Sequence, residues 1–286
     1  NDLLPFNYLI GKALIENGNV KLEEREIEEL LRCHANISYP DFIESTFKDI
    51  YFTDEENHWL DIVLTNIRWM TDPYKQAIAY FALFQSCIIK RPYNLFHRRN
   101  LYVRLQDVER SFGNKKTWDT PFEVHFRKFV REANNAVFDN GTCCRAMNND
   151  VFNILPHHDL VYIDTPYLND AGVGVDYADF YHFLNGIVNY DRWDSLIDYN
   201  SKHLRLRRQF NEWNDASLIR NAFVRLFTLF QDSVMVISYR SNGIPAIEEL
   251  VGILRELNKE VRIHRGVEMK YALSKRQSSE VLIIAR

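Results

Sequence analysis

Glycine is scarce, with ten in 286 residues, and no three of them form G-x-G-x-x-G. A loop through which the backbone closely approaches a dinucleotide or phosphate is therefore missing from the sequence. The pair in "GVG", Gly172–Gly174, follows a different kind of motif and carries little weight. Cysteine is equally sparse: Cys33, Cys87, Cys143 and Cys144 show no C-x-x-C pairing, and two of them are adjacent. That spacing excludes a zinc site and a disulfide framework, so reduced thiols in a cytoplasmic protein and no bound metal are expected. The longest apolar run, 77–89, is interrupted by Gln85 and Ser86 and is too short to cross a bilayer. No signal peptide, internal repeat or low-complexity stretch is visible. A net charge of −4 excludes a general basic coat but not a local basic face.

What is present is a core. Apolar residues make up 46% of the chain and aromatics 14%, enough for one large or two modest domains. Apolar positions 22, 27, 30 and 31 among charges predict an amphipathic helix over 22–32. Further helices are predicted over 55–70, over 74–89 (with "DP" before it and "KRP" after it) and over 122–138. Residues 18–140 thus read as a helical block. From about 143 the pattern changes. "DLVYID", "SVMVISY", "VRIHRGV" and "SEVLIIA" read as strands alternating with helices over 180–186, 216–230 and 245–257. This alternation predicts an α/β fold with a parallel sheet.

The stretch "DLVYIDTPYL", Asp159–Leu168, holds the chemistry. Leu160–Ile163 reads as a buried strand, and Pro166 cannot continue a sheet ladder. Asp164 and Tyr167 are then presented at a strand's carboxyl end, where open α/β sheets bind ligands. A carboxylate beside an aromatic face suits a flat substrate that offers hydrogen-bond donors. A strand-ending turn with a capping Asp and a packed Tyr is the alternative from these residues alone.

With "DTPY" in this position, the chain resembles the Dam-like adenine-specific DNA methyltransferases, whose signature is D-P-P-Y. "NDLLPFNYLIGKALIEN" (Asn1–Asn17), "NNDVFNIL" (Asn148–Leu155), "VISYRSNGIPAIEEL" and "KYALSKRQSSEVLIIAR" resemble other segments of that family, in its order. The resemblance implies a class I, Rossmann-like methyltransferase sheet from 1–17 and 141–286, with a helical target-recognition insert at 18–140. It implies S-adenosyl-L-methionine as cofactor, held by Asp2, Asp150 and Asp164. Adenine in double-stranded DNA, flipped out of the duplex, would be the substrate. Asp164 and the Thr165 carbonyl would grip its amino group, Pro166 would fix the turn, and Tyr167 would stack on the base. Thr165 departs from the family's proline but still supplies a carbonyl. A cognate restriction endonuclease is a possible partner.

Two basic stretches fit such a substrate. "KRPYNLFHRRNLYVR" offers Lys90, Arg91, Arg98, Arg99 and Arg104, interleaved with Tyr93, Phe96 and Tyr102. "KHLRLRR" offers Lys202, Arg205, Arg207 and Arg208. Phosphate contacts from them would position a duplex; without the motif, a solvated helix face is the simpler reading. Asp2 and Asp150 could each cap a turn instead of binding cofactor. Phe223, Phe227 and Phe230 read as core, and Tyr239 and Arg240 as either site lining or structure. Because the chain opens at Asn1 without a first strand and glycine loop, we expect those parts upstream and weak cofactor binding by this stretch alone. The rival readings are a DNA-binding fragment without catalysis and a methyltransferase of RNA adenine or protein glutamine.

Overall fold

A computed structural model describes every residue except 107, 109–114, 170, 171, 173, 175 and 270–277, with backbone alone at 267–269. The turn of the closing hairpin and Val173 of the Gly172–Gly174 stretch lie outside the described residues. The chain divides into two compact units: Asn1–Asn148 with Ala178–Arg208, and Asn149–Tyr177 with Gln209–Arg286.

The first unit is helical. In chain order it holds α1 (Pro5–Gly11), α2 (Glu24–Leu31), α3 (Phe42–Thr46), α4 (Asp54–Arg68), α5 (Pro73–Ile89), α6 (Leu101–Leu105), α7 (Lys115–Asp119) and α8 (Phe122–Ala136). After α9 (Tyr177–Phe180), at the junction, α10 (His182–Val188) and α11 (Trp193–Leu196) complete it. The predicted starts are where capping chemistry puts them. Thr53 and Glu56 exchange side-chain and backbone hydrogen bonds ahead of α4, and Asp72 accepts from the amides of Tyr74 and Lys75 ahead of α5. Helix α8 buries Phe122, Phe126, Phe129, Val130 and Ala133, one stripe at helical spacing. The segment after α9 reads in the sequence as part of the sheet region, yet it supplies the first unit's aromatic centre. Phe183 of α10 stacks on Phe96 at 5.1 Å and meets Phe47 edge-on at 5.1 Å, and Trp193 packs on Phe47 at 5.0 Å.

The second unit carries β1 (Leu160–Ile163), β2 (Leu168–Asn169), α12 (Ile219–Leu229), β3 (Val234–Arg240), β4 (Gly243–Ile244), α13 (Ile247–Glu256), β5 (Val261–Met269) and β6 (Ser278–Ala285). Its main sheet has the order β1-β3-β6-β5. Only β1 and β3 run parallel; β6 is antiparallel to both β3 and β5, so the sheet is mixed rather than parallel as predicted. The β5–β6 hairpin inserts its second strand beside β3, which forces the reversal. Met235, Ile237, Tyr239, Val281 and Ile283 are buried on one face with the apolar stripes of α12 and α13. Phe223, Phe227 and Phe230 sit in that core. Strand β1 differs from its prediction as a buried strand. It ends the sheet, and Leu160 and Tyr162 are 58% and 59% exposed, while only Ile163 is buried. Among the described residues no helix is long and apolar enough to cross a membrane.

Candidate active site

Asp164 is the first residue beyond β1, and the parallel register Ile163↔Ile237 sets Ser238 of β3 next to it. Asp164 is exposed as a residue, yet its carboxyl is partly enclosed. That desolvation raises its pKa; the Ser238 hydroxyl, set beside it by the register, opposes the rise, and the charge of Glu280 adds to it. Three residues on, the half-buried Tyr167 ring meets Tyr239 at 5.8 Å and 74°, and the Arg240 guanidinium lies 5.4 Å from its centroid. Thr165 and Pro166, between them, are half-buried.

Two devices hold this segment that the sequence did not reveal. Immediately after Tyr167, β2 pairs antiparallel with β4, with Leu168 opposite Ile244 and Asn169 opposite Gly243. Two-residue ladders are too short to leave an alternating pattern. The second device is the turn after β3, which folds over its own tyrosine. Tyr239 is buried, and its hydroxyl donates to the Pro245 carbonyl at 2.7 Å. A Cβ on Gly243 would lie 2.6 Å from that ring, so the backbone can approach this closely only with glycine. The result is a rigidly presented carboxylate, a backbone carbonyl and a tyrosine ring, three groups able to hold a flat molecule bearing an amino group. No cluster of metal-binding side chains occurs among the described residues.

The other expected cofactor residues have local partners. Asp2 accepts from the Leu4 amide at 2.7 Å with one oxygen and from Asn7 Nδ2 at 2.9 Å with the other, which organises the entry to α1. Asp150 is exposed and caps a short 3-10 turn, accepting from the Phe152 amide at 3.0 Å through Oδ1. Among the described residues its Oδ2 takes no hydrogen bond. Next to it, Phe152 is stacked parallel to Trp213 and covered by the Arg225 guanidinium at 3.8 Å.

The basic stretches divide sharply. Lys90, Arg91 and Arg104, expected to face DNA, are buried to within 4% of full enclosure, and Phe96 is fully buried. Lys90 and Arg104 converge on Glu56 at 2.8 and 2.7 Å. Arg91 donates to the Tyr51 carbonyl at 3.0 Å and lies 4.4 Å over the Tyr51 ring. These three cations hold the helical core together and are not offered to a phosphate. Burial lowers the Arg91 pKa to about 9, and the nearby Tyr51 works against that. Arg98 and Arg99, by contrast, are exposed beside exposed Tyr93 and Tyr102. Arg99 Nε donates to the Asp49 carbonyl at 3.0 Å, and a shallow depression next to it is lined by Leu101, Tyr102 and Leu105. In the second stretch Lys202, Arg207 and Arg208 are exposed. Arg205 is bracketed by Asp179 and Asp198 at 3.4 and 3.3 Å, Arg208 also pairs with Asp179, and Arg207 donates to the Ser195 carbonyl.

Over almost its whole length the chain is similar to type II methyltransferases. It is 29% identical over 272 residues to Type II methyltransferase M2.HphI of Haemophilus parahaemolyticus, covering 92% of this chain and 75% of that protein. It is 25% identical over 306 residues to Type II methyltransferase M.FokI of Planomicrobium okeanokoites, and 25% over 285 residues to Modification methylase StsI of Streptococcus sanguinis. The chain spans only 43% and 39% of those two longer proteins. No family model and no solved structure matches it.

Proposed function

We propose that this chain is the catalytic part of an S-adenosyl-L-methionine-dependent DNA methyltransferase that modifies the exocyclic N6 amino group of adenine in a duplex. The observation that carries the reading is the D-T-P-Y segment, Asp164–Tyr167, held at the carboxyl end of a parallel strand with the Asp164 carboxyl partly enclosed. The similarity to type II methyltransferases supports the reaction class, and a cognate restriction endonuclease fits a type II system. S-adenosyl-L-methionine, when bound, supplies a methyl group already activated as a sulfonium. What this chain has to do is orient a poor nucleophile.

The adenine amino group is unreactive because its lone pair is delocalised into the ring. In this reading Asp164 and the Thr165 carbonyl accept its two hydrogens, which favours a pyramidal nitrogen and aims the lone pair at the methyl donor. Tyr167 stacks on the extruded base, and Pro166 fixes the turn between the two groups. Asp150 and Asp164 are the cofactor-facing carboxylates of the second unit; Asp2 enters through the family resemblance. For the duplex, the reading narrows to Arg98, Arg99, Lys202, Arg207 and Arg208, the exposed residues of the two stretches. The test is methyl transfer from labelled S-adenosyl-L-methionine to duplex DNA, with the product nucleoside identified by mass. At S-adenosyl-L-methionine raised to offset the weak cofactor binding expected of this stretch, we expect N6-methyladenine from the parent and none from Asp164→Ala at unchanged duplex affinity. Methylation of a different base, or an active Asp164→Ala, would overturn the assignment.

A further inference from the structure

We propose that Ser238 and Arg240, alternate residues at the end of β3, are positioning residues, Ser238 for the Asp164 carboxylate and Arg240 for the Tyr167 ring. This inference rests on the proposed methyltransferase reading and adds to it a second strand as the template of the site.

The geometry follows from register. Residues two apart on a strand share a face, so Ser238 and Arg240 project together while Tyr239 points into the core. On that outer face the β1 neighbour of Ser238 is Asp164, given that Ile163 and Ile237 are opposite one another. Across β6, Ser238 and Arg240 oppose Leu282 and Glu280. Asp164 thus has the Ser238 hydroxyl of β3 beside it and feels the Glu280 carboxylate of β6, with Tyr167 on its own segment. A hydroxyl donating to one carboxylate oxygen fixes the plane of the group. The remaining lone pairs then aim in a set direction, as an acceptor for a substrate amino group requires.

Arg240 acts on the neighbouring ring. Its guanidinium lies over Tyr167, and its Nε donates to Asn242 Oδ1 at 2.8 Å, so the cation is itself anchored. Tyr239 supports the same ring edge-on. Together the two contacts restrict how the Tyr167 ring can turn, and so hold the surface on which a base would stack. The Tyr239 hydroxyl bond and the close approach of Gly243 fix the backbone that carries both Ser238 and Arg240.

The experiment measures kcat and KM for duplex DNA against pH in Ser238→Ala, Ser238→Thr, Glu280→Gln and Arg240→Met, with Asp164→Ala as reference. Ser238→Ala should lower kcat about tenfold, the scale of a hydrogen bond to a charged group, with little change in KM. Its acid limb should move to higher pH, because the bond that opposes the raised Asp164 pKa is gone. Glu280→Gln should move that limb the other way, and Ser238→Thr should restore the parent profile. Arg240→Met should instead raise KM for DNA. An inactive Asp164→Ala together with an unshifted limb in Ser238→Ala would refute the positioning role while leaving the methyltransferase reading intact. An active Asp164→Ala would sink that reading itself.

Discussion

Replacing Glu56 by Gln tests whether the first basic stretch is core or surface. Glu56 receives Lys90 at 2.8 Å and Arg104 through both oxygens, at 2.7 and 2.9 Å, with its side chain 17% exposed. The two cations are 1% and 4% exposed, and Arg91 shares the Phe52 ring with Arg104. Burial by itself would raise the Glu56 pKa; the Arg104 bond, and then Lys90, overcome that and hold it below the ordinary value. Its contribution to stability is therefore present above the unfolded carboxylate pKa and is lost as pH falls through the folded one. Gln keeps the shape and the bond to the Thr53 amide but leaves two enclosed cations without a counter-charge. Breaking a buried pair in this way costs about 3–5 kcal/mol. At about 2–4 °C per kcal/mol for a unit of this size, the melting temperature should fall by roughly 6–20 °C. Urea and thermal unfolding at pH 7 would measure it, with Arg98→Ala as a surface control expected within about 0.5 kcal/mol. A loss below about 1 kcal/mol, or weakened DNA binding at unchanged stability, would refute the view that these charges belong to the core.

That correction marks where the sequence stops being legible. Both helix starts with strong capping chemistry, at Thr53 and Asp72, are readable because the signal lies within three residues of chain. The four main strands are readable from short apolar runs, and Asp164 and Tyr167 from the proline that ends one of them. Lys90, Arg91 and Arg104 mislead because composition alone cannot tell a cation whose stem and head are both enclosed from one that is solvated. The difference is made by Glu56 and Tyr51, 34 to 53 positions away along the chain. The mixed sheet is invisible for a related reason, since strand direction depends on which neighbours pair and not on the strand's own pattern. Ser238 is hidden as well. A serine in a strand carries no signal until the register sets it against a carboxylate on another strand.

The remaining predictions separate surface, packing and titration. Arg98→Ala with Arg99→Ala should lower the slope of log affinity against log salt by about 0.9 for each phosphate no longer neutralised; an unchanged slope would return them to an ordinary solvated surface. Gly186→Ala would set a Cβ 1.9 Å from Cε2 of the fully buried Trp193, so a loss of about 1–3 kcal/mol is expected in thermal unfolding, and parent-like stability would show that this packing yields. The last concerns acid. Burial, and then the neighbouring His203, push the pKa of His182 from 6.5 to about 3, so the unfolded chain alone takes up that proton between those values and stability falls as pH falls. Burial raises Asp61 from 3.8 to about 6 against hydrogen bonds from the Ile43 and Glu44 amides and Tyr190, so the folded chain alone is protonated there and stability falls as pH rises. Their windows overlap between about pH 4 and 6, where the two slopes, each about 1.4 kcal/mol per pH unit, oppose one another. Asp61→Asn removes one of them, so its unfolding midpoint should drop more steeply than the parent's from pH 6 to 4.5, and parallel curves would show that the two groups do not offset each other.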